Sequence, residues 1–117
     1  MTGKLSTHVL DIANGTPAQG VRIDLLRGSG PGATPIKTVH TNADGRTDAA
    51  LLENGALATG AYTLVFHVGA YFRAKGTAGA GAFLDQVPVM FSVADASAKY
   101  HVPLLVSPWA YSTYRGS

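Results

Sequence analysis

Residues 60–68 read GAYTLVFHV and contain the strongest candidate strand in the chain. Gly60 and Ala61 open a run, Tyr62–Val68, that is rich in β-branched and aromatic side chains, as strands usually are. The segment that follows, Ala70–Lys75, has the composition of one short helix, and Gly76 is expected to end it. Because this is the one segment in which a helix competes with β structure, the predicted helix content is small.

Turn-forming residues separate further extended runs on both sides of this strand. Val21–Leu26 alternates apolar and charged residues, and Asn42–Gly45 has the composition of a tight turn. The glycine-rich segment Arg27–Ala33 is predicted to be a loop with no regular element. Short strands at this spacing indicate an all-β sandwich or barrel. The other predicted strands are Thr7–Ile12, Ile36–Thr41, Val87–Val93, Tyr100–Val106 and Tyr111–Tyr114.

Two of these strands contain a proline, which cannot donate a hydrogen bond to a β-ladder. Pro88 and Pro103 therefore favour edge positions or local irregularities for the strands that carry them. We expect one domain over residues 1–117, because that length suits a single small core.

The composition excludes several kinds of chemistry. The chain has four histidines and no cysteine, so it has no disulfides, thiolate metal ligands or cysteine nucleophile. Charged residues are 14% and hydrophobic residues 46% of the chain, which is apolar for a soluble domain of this size. We therefore expect subunits to associate and cover part of that apolar surface.

The charge distribution also limits the partners. Nine Lys and Arg residues exceed seven Asp and Glu residues by two, and they are scattered rather than clustered. Nucleic-acid binding usually needs a clustered basic stripe, so we expect none. No apolar run approaches the length of a membrane span and the first residues lack an apolar signal region, so we expect no membrane partner and a cytoplasmic location.

Residue types and spacing alone do not single out a reaction. The carboxylates lack the spacing of an acid–base pair, and the histidines lack that of a local metal site. Each histidine, taken singly, is more often structural than catalytic, and Arg46 more often a solvated charge. These patterns leave a small β-sandwich that associates.

Four separated motifs and the last residues of the chain resemble one family. Residues 107–117, SPWAYSTYRGS, are similar to the C-terminal signature of the transthyretin-related proteins, and the ending YRGS resembles the branch that hydrolyses 5-hydroxyisourate. The other motifs stand in the same order as in that family: LSTHVLD at 5–11, GTPAQGV at 15–21, TNADGR at 41–46 and YHVPLL at 100–105. The resemblance implies a transthyretin-like two-sheet β-sandwich of about 7–8 strands with one short helix.

The resemblance also implies which residues act. The catalytic residues would be His8, Arg46 and His101, and the substrate would be bound by His8, Arg46, Tyr114 and Ser117. No metal and no cofactor are implied. A neutral imidazole can take a proton from water, and a planar guanidinium can hold an anionic heterocycle, so these residue types suit the chemistry.

The implied reaction belongs to urate degradation. Water adds to the C6 carbonyl of 5-hydroxyisourate and the N1–C6 bond breaks, which gives 2-oxo-4-hydroxy-4-carboxy-5-ureidoimidazoline. Either His8 or His101 would be the general base. The family also implies a homotetramer, a dimer of dimers with sites in the channel between the dimers.

Two alternatives stay open at this stage. The first is a non-catalytic carrier of the transthyretin type, which would need no polar set of two imidazoles and a guanidinium. The second is a zinc site built from histidines, although no carboxylate or cysteine shares their motifs. His40 and His67 match no functional position of the family and are expected to be structural. The segments Gly28–Ala33 and Thr77–Gln86 depart from the family pattern, which leaves the loop shapes open.

Overall fold

The computed structural model describes residues 2–117, which form two four-stranded β-sheets, one α-helix and a short 3-10 turn. This confirms the predicted all-β class with one short helix. The strands are β1 (Lys4–Asp11), β2 (Thr16–Pro17), β3 (Arg22–Arg27), β4 (Thr34–His40), β5 (Gly60–Phe66), β6 (Val87–Val93), β7 (Lys99–Val106) and β8 (Tyr111–Thr113), and the helix is α1 (Val68–Lys75).

The strand order places the two ends of the chain side by side. The first sheet has the order β2-β1-β7-β8 and the second has the order β4-β3-β5-β6. Strands β1 and β7 run parallel over their full lengths, with Ser6 opposite His101 and His8 opposite Pro103. All other strand pairs are antiparallel. Residues that are far apart in sequence therefore meet on one sheet.

Alternating side chains divide each sheet into a buried face and an open face. In β1, Leu5, Thr7 and Val9 are buried between the sheets, whereas Ser6 and His8 lie half-buried on the outer face. The core is built from the inward-facing apolar residues of both sheets and from the buried face of α1. The outer face of the first sheet is thus free to carry polar groups.

The helix begins earlier than its sequence indicates. Strand β5 ends at Phe66 rather than Val68, because Val68 already begins α1. Between them, the His67 amide still donates a 2.9 Å hydrogen bond to the Arg22 carbonyl of β3. The expected end at Gly76 is confirmed, since this glycine adopts a left-handed φ of 69° after the last helical residue. Tyr71 anchors the helix by donating a 2.7 Å hydrogen bond to the carboxylate of Asp11.

The two strand prolines, Pro88 and Pro103, occupy different positions in their sheets. Pro88 lies in β6, an edge strand, as expected. Pro103 lies in β7 between β1 and β8, so the second expectation, a local irregularity rather than an edge position, applies to this residue. The interior position is tolerated because β8 pairs only with Leu104–Val106, and the ladder on that side ends before a proline amide is needed. Beyond that ladder, the Thr113 hydroxyl donates to the Pro103 carbonyl at 2.8 Å.

The two glycine-rich segments are more ordered than their composition indicates. Gly30–Gly32 forms a 3-10 turn and Arg27 still belongs to β3, so the expectation of no regular element over Arg27–Ala33 was wrong. In the second segment Phe83 stacks on Trp109, with ring centroids 6.3 Å apart.

Within residues 2–117, no helix is long and apolar enough to cross a membrane.

Candidate active site

His8 and His101 lie on the same open face of the first sheet because of the alternation within β1 and β7. The inward side chains of Leu5 and Val9 hold β1 against the core, which directs the His8 imidazole outward. In β7, His101 is likewise the half-buried residue between buried Tyr100 and Val102. Since His101 is opposite Ser6 in the parallel ladder, the two histidines sit on neighbouring strands two positions apart.

A tight turn delivers Arg46 to His8. The side-chain carbonyl of Asn42 accepts hydrogen bonds from the backbone amides of Asp44 at 2.9 Å and Arg46 at 3.2 Å, which closes the turn. Gly45 has a φ of 76°, and any Cβ at this position would collide with the Val9 carbonyl. An antiparallel bridge then pairs Arg46 with His8. The turn therefore sets the start of the Arg46 side chain beside an imidazole.

The ring of His8 is fixed by the same turn. Its Nε2 lies 2.8 Å from the backbone carbonyl oxygen of Asp44. A carbonyl only accepts, so Nε2 must carry the proton in this hydrogen bond. In the neutral ring, Nδ1 is therefore the nitrogen with the free lone pair.

The ring of His101 is held through its other nitrogen. Its Nδ1 lies 2.8 Å from Oγ of Ser6 on the neighbouring strand. Partial burial lowers the pKa of His101 below 6.5, and the nearby positive charges of Arg46 and His8 lower it further. His101 is consequently neutral at physiological pH and is able to accept a proton.

The C-terminal residues lie across His101. The Gly116 amide donates a 2.7 Å hydrogen bond to the His101 carbonyl, and a Cβ added at Gly116 would lie 2.6 Å from Cδ2 of the imidazole. The Arg115 guanidinium stacks 4.1 Å from the centroid of the Tyr100 ring and donates a 2.9 Å hydrogen bond to the Lys99 carbonyl. These contacts tie residues 115–116 to β7, and exposed Ser117 follows directly.

Tyr114 has different surroundings from the histidines. It lines a cavity of about 180 Å³ between β6 and the β7–β8 edge, together with Phe91 and Tyr100. A separate cavity of about 270 Å³ lies beside Arg46 and is also lined by Lys4, Ser6 and Thr47. Of the residues predicted from the sequence, the structure thus groups His8, Arg46 and His101 through the His8–Arg46 bridge and the β1–β7 register, whereas Tyr114 lines a cavity that none of these three residues borders.

His40 is the last residue of β4 in the second sheet, and His67 lies between β5 and α1. They line a cleft beside α1, and Nε2 of His67 lies at hydrogen-bond distance, 2.8 Å, from the carboxylate of Asp24. The two residues are not part of the cluster around His8. Among the residues described, 2–117, no group of three or more His, Cys, Asp or Glu side chains is arranged to hold a metal ion.

The contributions of three residues to this site were missed in the sequence: the hydroxyl of Ser6, the backbone carbonyl of Asp44 and the missing side chain of Gly116. Ser6 could have been found by its position two residues before His8, which puts both on one face of a strand. Its partner His101 is 95 residues away in sequence, so the contact can be identified only when the strand order is known. The Asp44 carbonyl leaves no signal in residue type.

Fold and site together define a small two-sheet β-sandwich with a polar cluster of two imidazoles and a guanidinium on one open sheet face. Residues 5–116 match the HIUase/Transthyretin family, and the chain belongs to that family. A curated relative, 5-hydroxyisourate hydrolase of Ralstonia nicotianae, is 58% identical over 116 residues, which cover 98% of this chain and 99% of the relative.

Solved structures agree with this assignment. (S)-Allantoin synthase matches with a TM-score of 0.92 and 46% identity over 99% of this chain, which spans only 44% of that longer protein. Sea bream transthyretin in complex with thyroxine matches with a TM-score of 0.85 and 28% identity, covering 97% of this chain and 94% of that one. The fold is therefore transthyretin-like, as the sequence resemblance implied.

Proposed function

We propose that this protein hydrolyses 5-hydroxyisourate to 2-oxo-4-hydroxy-4-carboxy-5-ureidoimidazoline, with a water molecule activated by histidine. The observation that carries the proposal is the polar cluster on the outer face of the first sheet. There His101 shares the face with the imidazole of His8 and the guanidinium of Arg46. Burial and the charges of these two neighbours lower the pKa of His101. The relative in Ralstonia nicotianae, which bears the name of this hydrolase, supports the same reaction.

The proton transfers are assigned to the imidazoles. A neutral ring removes a proton from water as the oxygen attacks the C6 carbonyl, and the proton is then available to the N1 leaving group when the N1–C6 bond breaks. General-base catalysis of this kind accelerates a reaction by roughly 10²–10⁴-fold. The 2.8 Å bond from His8 Nε2 to the Asp44 carbonyl supports Nδ1 as the reactive nitrogen of that ring.

Substrate binding is assigned to Arg46, His8, Tyr114 and Ser117. The guanidinium offers a planar fork of donors to an anionic ring, and Arg46 borders the 270 Å³ cavity next to Ser6. Ser117 follows Gly116, whose amide is bound to the His101 carbonyl. Tyr114 borders a separate cavity, so its contact with substrate depends on how subunits assemble.

The assembly is proposed to be a homotetramer, a dimer of dimers. Strands β6 and β8 are edge strands at the same side of the sandwich and border one cavity. Large apolar side chains on or next to these edges are exposed: Met90 by 62%, Tyr111 by 45% and Tyr114 by 58%. A second copy that pairs with both edges would cover them and extend both sheets. Sedimentation at micromolar concentration tests this, and a monomer would contradict it.

The decisive experiment generates 5-hydroxyisourate from urate and follows its ultraviolet absorbance. We expect the protein to accelerate the decay and the double variant His8→Ala/His101→Ala to leave only the spontaneous rate. Decay that stays at the spontaneous rate with folded wild-type protein would overturn the proposal. Added chelator tests the zinc alternative, and an unchanged rate is expected.

The carrier alternative has less support. A transthyretin-type carrier needs an apolar channel, whereas this open face carries Ser6, His8 and His101 at neighbouring positions. The single domain over residues 1–117 and the cytoplasmic location stay predictions.

A further inference from the structure

Ser6 on β1 and His101 on β7 are joined by a hydrogen bond between their side chains, both on the outer face of the first sheet. Within residues 2–117, no other hydrogen bond joins a side chain of β1 to a side chain of β7. Oγ of Ser6 lies 2.8 Å from Nδ1 of His101, and both side chains are half-buried. The two residues are also direct Cα partners in the ladder. A contact between such partners needs no loop or flexible segment to form it.

The backbone on both sides of Ser6 is held firmly. Leu5 and Thr7 point into the core, with 0% and 2% of their surfaces exposed. The Thr7 hydroxyl also donates a 2.7 Å hydrogen bond to the Val102 carbonyl on β7. Because both neighbours are fixed, the backbone of Ser6 is held at a constant position relative to β7.

A hydroxyl suits an imidazole that changes its protonation state. It accepts a hydrogen bond when Nδ1 carries a proton, and it donates one when Nδ1 has a lone pair. The Ser6 contact is therefore compatible with neutral and with charged His101, and the ring does not need to turn as it gains or loses a proton. A carboxylate in the place of Ser6 would favour the charged form of the ring.

We propose that Ser6 is a positioning residue, which holds the His101 imidazole through Nδ1 so that Nε2 is the nitrogen presented to the substrate. The proposal rests on the hydrolase function proposed above. His8 is held in the opposite sense, through Nε2 by the Asp44 carbonyl. The two imidazoles therefore leave different nitrogens free, Nε2 of His101 and Nδ1 of His8.

The test compares Ser6→Ala, which removes the hydroxyl, with Ser6→Thr, which keeps it. Misplacing a reactive group by about 1 Å costs up to about a hundredfold in rate. We expect Ser6→Ala to lower kcat at least about tenfold with KM changed less than about twofold, and Ser6→Thr to recover most of kcat. Ser29→Ala is the matched control, because Ser29 is exposed in a loop and caps nothing with its side chain.

A second readout does not depend on activity. In protein labelled with ¹⁵N at histidine, the Nδ1 resonance of His101 should shift in Ser6→Ala and not in Ser29→Ala, while the His8 ring resonances stay in place. Ser6→Cys, similar in size but a weak hydrogen-bond partner, should behave like Ser6→Ala. This variant serves if the alanine variant folds poorly.

The outcomes separate this proposal from the function on which it rests. An unchanged Nδ1 resonance, or a kcat loss that Ser6→Thr does not recover, would overturn the positioning role. Wild-type protein that fails to accelerate 5-hydroxyisourate decay would overturn the function, and the resonance shift would then still report whether Ser6 orients the ring.

Discussion

The backbone amide of Gly116 is hydrogen-bonded to the carbonyl of His101 at 2.7 Å, so the last residues of the chain lie directly against a candidate catalytic ring. A side chain at position 116 has no room, because its Cβ would lie 2.6 Å from Cδ2 of His101. Glycine is therefore needed here for close approach and not for a left-handed backbone.

Gly116→Ala should displace either the C-terminal residues or the imidazole. We expect kcat/KM to fall about tenfold or more, as for other small displacements of reactive groups. The free energy of unfolding should change by less than about 1 kcal/mol, since the position is near the surface. Gly32→Ala is the matched control, because nothing lies within 4 Å of a Cβ at Gly32. Full activity of Gly116→Ala would show that the close packing has no catalytic role.

Replacing Arg46 by glutamine should raise the pKa of His101. Burial lowers this pKa first, and the Arg46 charge adds to that effect, so removal of the charge brings the pKa closer to 6.5. Because the neutral ring is the reactive form, the acid limb of the rate profile should move to higher pH. An NMR titration of the His101 ring measures the change directly. Lys37→Gln, an exposed charge on β4, should leave the titration unmoved.

Loss of either candidate base should be severe. We expect His8→Ala and His101→Ala each to lower kcat by about 10²–10⁴-fold, the usual range for general acid–base catalysis. His40→Ala is the matched control on the second sheet and should retain activity, because His40 is exposed there and lies outside the cluster. Near-normal kcat in both single variants, measured on folded protein, would exclude histidine catalysis.

The contact between Asp11 and Tyr71 should add to the apolar packing that attaches α1 to the core. Asp11 is 1% exposed and accepts a 2.7 Å hydrogen bond from the Tyr71 hydroxyl as well as bonds from Ala13 and Asn14. Asp11→Asn places an amide donor against these donors and should cost about 1–3 kcal/mol of unfolding free energy. Tyr71→Phe should cost a similar amount. Thermal unfolding of both single variants and the double variant should be non-additive, whereas additive losses would mean that the two residues act separately.

The same carboxylate should make stability depend on acid. Burial of Asp11 favours its neutral form, but hydrogen bonds from Asn14 and Tyr71 outweigh burial and hold its pKa below 3.8 in the folded protein. A group with a lowered folded-state pKa stabilises fully above its unfolded pKa, and the stabilisation is lost as the pH falls through the folded pKa. Wild-type protein should therefore lose stability more steeply than Asp11→Asn below about pH 4. Parallel acid unfolding curves would contradict this.

Local features of the fold were predictable from sequence. The alternation in Val21–Leu26, the turn Asn42–Gly45 and the helix end at Gly76 depend on neighbouring residues, and the structure confirms them. The interior position of Pro103 was not predictable from sequence, because it depends on which strands flank β7. Strand order follows from packing between distant segments, and a single strand's composition carries no record of it.

The candidate site divides in the same way. The sequence resemblance singled out His8, Arg46 and His101, which the structure places on one face. It gave no reason to choose Ser6, a common residue whose partner is on another strand. Tyr114 was grouped with the histidines by the C-terminal motif, whereas the structure puts it on the cavity of the β6–β8 edge. Residues that a family motif assigns to one site therefore need not lie close together within one subunit.

The parallel pairing of β1 with β7 has a consequence for biosynthesis. Apart from its short contact with β2 and isolated bridges to Arg46 and Leu52, β1 is paired along its length by residues 99–106. Contacts of such long sequence separation form late, because the entropy of closing the intervening loop must be overcome first. As the ribosome releases the chain, the second sheet can assemble before β7 is available to pair with β1. The candidate site across β1 and β7 is then completed late, so a nascent chain that stops short of β7 has neither a closed first sheet nor the candidate site.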